Sequence, residues 1–133
     1  PPHCAATLAM LSHELHANVH ARPVGEAGEG LTLFDRTFEE VSEALAALPR
    51  MFIEPDGSFV WVSASESVWQ LDGVLYDGPG RLWYIELKGH CPEPEFNLLL
   101  SALGWPRTQV EFQLVREAAI LDEQAFRGHA GWL

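Results

Sequence analysis

The sequence predicts an α+β fold: a four- or five-stranded, mostly antiparallel sheet, built from two consecutive hairpins, then a helix, then a strand, with helices at its flanks. Two observations carry this reading. Pro55-Asp56-Gly57 and Asp77-Gly78-Pro79-Gly80 are turn sequences, and each is flanked by alternating apolar and polar residues. A capped helical stretch precedes the first hairpin, and a helical stretch followed by an alternating one comes after the second.

Taken in order, residues 3–21 read as a helix, because Cys4, Leu8, Leu11, Leu15 and Val19 fall on one face and Pro23 stops it. "VGEAGEG", 24–30, has three glycines and no periodicity, so it reads as a linker. Residues 1–30 are thus expected to form an N-terminal helix plus linker, and residues 31–133 a single compact domain. Thr37 with Glu40 makes a capping box for a helix whose apolar face is Phe38, Val41, Leu45 and Leu48. The hairpins occupy about 50–63 and 69–89. Pro92 and Pro94 open a helix that buries Phe96, Leu99, Leu100 and Leu103 and ends at Gly104. "TQVEFQLV", 108–115, alternates as a strand, and Asp122 caps a short last helix.

Hydrophobic residues make up 47% of the 133-residue chain and charged residues 20%, as expected of a soluble globular domain with a real core. No apolar run approaches the roughly 18 residues that span a bilayer, and Ala5 to Leu11 lacks the flanks of a signal peptide. Cys4 and Cys91 are too few for a disulfide framework, so the expectation is two reduced thiols in a cytoplasmic protein. Eight basic against nineteen acidic residues give a net charge of -11, which repels phosphate backbones and disfavours nucleic acid as a partner.

The second hairpin holds the chain's only lysine, Lys88, two residues after Glu86. Strand alternation puts both on one face, opposite Trp83, Ile85 and Leu87. If the apolar sets of both strands face the core, Asp72 joins Glu86 and Lys88. Asp72 directly opposite Glu86 requires a three-residue loop, Gly78 to Gly80. Two such carboxylates repel unless a cation lies between them, and magnesium prefers one or two carboxylates plus water. Lys88 beside them would orient a water or stabilise charge on a phosphoryl group.

An Asp on one strand and a Glu-x-Lys on the next, "LDG" at 71–73 and "IELKG" at 85–89, resembles the PD-(D/E)xK nuclease superfamily, as does the element order across residues 37–116. The resemblance implies an αβββαβ core, magnesium held by Asp72 and Glu86, Lys88 as the catalytic lysine, and phosphodiester hydrolysis, in an active or degenerate form. The other function class is a non-enzymatic interaction or oligomerisation module, working through the N-terminal helix or exposed aromatic residues such as Trp132 with Phe126.

"HELHANVH" places His13, His16 and His20 within a narrow arc of the first helix, with His16 and His20 at the i,i+4 spacing that can clamp a metal. Without a further ligand in view, a partly exposed histidine stripe is the plainer reading. His90 and Cys91 are adjacent on an extended chain and point apart, so the thiol is not activated by that histidine.

Overall fold

The computed structural model describes residues 11–24, 31–64 and 68–133. Along the chain lie β1 (Leu15–Ala21), α1 (Phe38–Ala46), β2 (Met51–Ile53), β3 (Ser58–Val62), β4 (Gln70–Asp77), β5 (Leu82–His90), α2 (Glu93–Ala102), β6 (Val110–Leu114), β7 (Ile120–Asp122) and α3 (Glu123–His129). The class is α+β as expected, but among the described residues the sheet has seven strands rather than four or five, in the order β2-β3-β4-β5-β1-β6-β7. Every neighbouring pair is antiparallel.

The largest correction concerns the first element. Residues 15–21 form a strand, not a helix, with Leu15, Ala17, Val19 and Ala21 buried and His16, Asn18 and His20 half-buried on the other side. Leu11, Leu15 and Val19 recur every four residues, a spacing that satisfies both a helix and a strand. The deciding positions are two and three residues on: Ala17 and Ala21 are apolar, as a strand requires, whereas Asn18 and Arg22 are polar where a helix would want apolar side chains. Residues 3–10 of the expected helix, with Cys4, and residues 25–30 of the expected linker lie outside the described residues. The expected boundary at residue 30 does not separate β1 from the rest, because β1 sits between β5 and β6. The other added strand, β7, is three residues long and pairs with β6 just before Asp122 caps α3.

One face of the sheet and the three helices share a single core. The capping box forms as expected: Thr37 Oγ1 accepts from the Glu40 N–H at 3.1 Å, and Glu40 Oε1 accepts from the Thr37 N–H at 2.9 Å. From α1, Val41 and Leu45 are buried, and from α2, Phe96, Leu99, Leu100 and Ala102. Phe126 of α3 stacks on Phe112 of β6 with ring centroids 4.0 Å apart. Trp132 leans on Phe96 at 4.9 Å, and Phe126 is fully buried, so this expected partner-binding pair is used inside the fold. At the other end, Trp61 meets Trp69 edge-on and donates its indole N–H to the Pro49 carbonyl at 2.9 Å.

Arg127, buried on α3, ties the helices together. It donates to Glu123 at 3.1 Å and to Glu93 of α2 at 2.8 Å, and its guanidinium lies over the Trp105 ring, whose N–H in turn donates to Glu123. Arg127 thus reaches α2 through a charge-assisted hydrogen bond to Glu93, while its second such bond stays within α3. Cys91, at the β5–α2 junction, is also buried, and burial, with the nearby Glu95 charge, pushes its thiol far above the ordinary range. Both effects disfavour the thiolate, the nucleophilic form. No helix among the described residues is long and apolar enough to cross a membrane.

Because β1 is central, truncating its core side should resemble a core mutation rather than the loss of an arm. Leu15→Ala is expected to cost about 2–5 kcal/mol in chemical denaturation, since it leaves a cavity under a fully packed strand. A loss below about 0.5 kcal/mol, the usual scale of surface substitutions, would mean that β1 is not part of the core.

Candidate functional site on the open face of the sheet

The helices cover one face, so the polar positions of each strand collect on the other. Register arranges nine open-face residues, eight of them polar, in three rows across β4, β5 and β1. Asp72, Lys88 and His16 form the first row, Val74, Glu86 and Asn18 the second, and Tyr76, Tyr84 and His20 the third. The expected triad therefore shares a face, and Asp72, Glu86 and Lys88 line one shallow depression with Gly73 and Val74.

The pairing within that face differs from the expected register. Asp72 stands opposite Lys88, and Glu86 opposite Val74, so the two carboxylates are diagonal rather than face to face. The loop has four residues, Gly78 to Arg81, closed by the Gly78 N–H bonding to the Arg81 carbonyl. An even loop alone would have moved Asp72 to the core side. A bulge in β5 after Tyr76 restores the parity, since Tyr76 pairs with Tyr84 and Asp77 with Leu82. At the bulge the backbone of Leu82 is taken by the segment before α1, donating to the Arg36 carbonyl and accepting from the Phe34 N–H. Leu82 consequently turns into the core instead of sharing the face of Glu86.

Glu86 is the hub of the face. One carboxylate oxygen bonds His16 Nε2 at 3.0 Å and the other accepts from the Tyr76 hydroxyl at 3.2 Å. The bond assigns the His16 proton to Nε2 when the ring is neutral. The Glu86 charge is also the main cause that raises the Tyr76 hydroxyl above its ordinary value. Asp72 accepts from the Gln70 side chain at 2.8 Å, and Asn18 donates to Gln113 of β6 at 3.4 Å. Lys88 has no carboxylate within 4.0 Å among the described residues.

The third row is a ladder of rings. Tyr76 stacks on Tyr84 with centroids 4.5 Å apart and planes 9° apart, and Tyr84 on His20 at 4.9 Å and 19°. Such offset stacks hold rings in place across strands. Burial lowers the His20 pKa, against smaller raising effects of Glu111 and Gln113 on β6.

The histidines singled out in the sequence do not converge. On a strand, His16 and His20 are roughly 13 Å apart along the chain direction, at about 3.3 Å per residue. His13 precedes the strand, where its ring packs on Gly131. Among the described residues, no group of three His, Cys, Asp or Glu side chains is placed to hold a metal ion. Tyr76, Tyr84 and Asn18 were not singled out from the sequence, and the signal for Asn18 lay in the unbroken alternation of "LHANVHA".

Compared with protein-family models, with curated proteins and with solved structures, the chain finds no match in any of the three. The resemblance to PD-(D/E)xK nucleases rests on Asp72, Glu86, Lys88 and the order of elements.

Lowered in the fold, the His20 pKa makes protonation easier in the unfolded chain, so the stability it contributes is present above its ordinary value of 6.5 and is lost as the pH falls through the folded value. Urea unfolding from about pH 8 to about pH 5 should show a smaller loss of stability for His20→Gln than for the wild type. Parallel pH profiles would count against this burial.

Proposed function

We propose that this chain is a non-enzymatic protein-interaction module whose docking surface is the open face of the sheet, with a second copy of the chain as the partner it fits. The observation that supports this most directly is the set of apolar and aromatic side chains left uncovered there: Phe52, Val60, Tyr76 and Ile120 are 58%, 38%, 36% and 65% exposed. They lie on the strands' polar side, outside the core, where burial by a partner would return free energy. The ring ladder is already ordered, so little freedom is lost on docking. Opposite charges stand side by side at Asp72, Lys88 and Glu86, an arrangement that can match its own image across a two-fold axis.

Sedimentation velocity tests this. The wild type is expected to show concentration-dependent self-association, and Val60→Lys, which places a charge among the apolar side chains, should remain monomeric. A wild type that is monomeric at every concentration refutes the second-copy reading.

A second reading is favoured by one observation, the common depression lined by Asp72, Glu86 and Lys88. In it, Asp72 and Glu86 would hold magnesium and Lys88 would face the substrate. Magnesium, when bound, would supply charge stabilisation for a phosphoryl group. The donor set meets this in part: both carboxylates are on one face, while Glu86 has both oxygens engaged and Asp72 faces an ammonium group. Calorimetric titration with magnesium or manganese separates the readings. The metal reading expects binding heat that Glu86→Ala abolishes, and equal or absent heats in the two proteins end it.

A further inference from the structure

Where β1 begins and β5 and β6 end, a cleft of about 90 Å³ opens between the open face and α3. Its charged and titratable lining is Glu14, His16, Lys88, Arg116, Glu117 and His129. The chain has eight Lys and Arg residues in all, among nineteen carboxylates. The ion pairs among the described residues use His16, Arg81 and Arg127 as cations, and neither Lys88 nor Arg116 takes part. Glu14 and Glu117 take part in none either, although they line the same cleft as the two free cations. Two permanent cations and two carboxylates thus share one small space, and no opposite pair among them comes within 4.0 Å.

We propose that this cleft binds a small zwitterion of the amino-acid class, its oxyanion held by Lys88 and Arg116 and its ammonium group by Glu14 and Glu117. A plain anion would gain the cations but meet two carboxylates, and a plain amine would meet the reverse. A ligand carrying both charges a few bonds apart gives each set a partner at once, through charge-assisted hydrogen bonds. The volume is about that of three water molecules, at roughly 30 Å³ each, which suits a ligand of a handful of heavy atoms. His16 and His129 also line the cleft. This site shares Lys88 and His16 with the first row of the open face, while Glu14, Arg116, Glu117 and His129 lie outside the three rows.

Amide correlation spectra of the full chain, titrated with glycine, acetate and ethylammonium, test the proposal. Glycine at millimolar concentrations is expected to give saturable shifts around Glu14, Lys88 and Arg116, with acetate and ethylammonium each at least about tenfold weaker. Glu14→Gln and Lys88→Met should each weaken glycine by a similar factor, whereas Arg107→Gln, exposed and outside the cleft, should not. The same spectra report whether each variant is folded. Absent or non-saturable glycine shifts, acetate binding as well as glycine, or full binding by folded Glu14→Gln and Lys88→Met would overturn the proposal. Glu14→Gln leaves Asp72, Glu86 and Lys88 intact, so this result is independent of the metal titration.

Discussion

The insertion of β1 between β5 and β6 is the constraint on which the rest of the molecule depends. Without it the sheet divides into a four-stranded piece, β2 to β5, and a two-stranded one, β6 and β7. Its backbone bonds to both neighbours, and its small alternating side chains, Leu15, Ala17, Val19 and Ala21, let the helices close over the join. The partners lie some 65 to 100 residues away in sequence, as in Ala17 with Leu87 and with Leu114. Closing such long loops is entropically unfavourable before the contacts form, so this pairing belongs to the slow, non-local part of folding.

The same strand creates the surface on which function is proposed. By alternation, each residue that β1 gives to the core leaves its neighbour on the open face, so His16, Asn18 and His20 complete rows begun by β4 and β5. Glu86 then has hydrogen-bonding partners on both flanking strands, His16 on β1 and Tyr76 on β4. A carboxylate satisfied from two sides is a structural centre for the face as much as a reactive group. The sheet's outermost strands, β2 and β7, are three residues each, which leaves little edge for another chain to extend. Association is thereby directed to the face rather than the edge.

Charge is used economically. Of the few arginines, Arg127 is buried in hydrogen bonds that hold α3 to α2, and Arg36 donates to the Ala102 carbonyl at 2.9 Å. Lys88 and Arg116 are spared such work and meet at one cleft. Among the described residues, this cleft brings together two cations and two carboxylates that join no ion pair.

The capping box at Thr37, the two hairpins, the helix from Glu93, β6 and the Asp122 cap were legible in the sequence, because each depends on residues close together in the chain. So was the common face of Asp72, Glu86 and Lys88, through strand alternation and the need to bury Leu71, Ile85 and Leu87. The identity of β1 was legible only from Ala17, Ala21 and Asn18, since the four-residue spacing of its larger apolar side chains fits either element. Tertiary structure alone decided the place of β1 in the sheet and the partners of Glu86. It also decided the register that sets Asp72 against Lys88, through a bulge stabilised by Phe34 and Arg36, nearly fifty residues upstream of Leu82. Local sequence sets which way a side chain faces; which side chain it meets depends on backbone groups that are distant in sequence and adjacent only once the chain has folded.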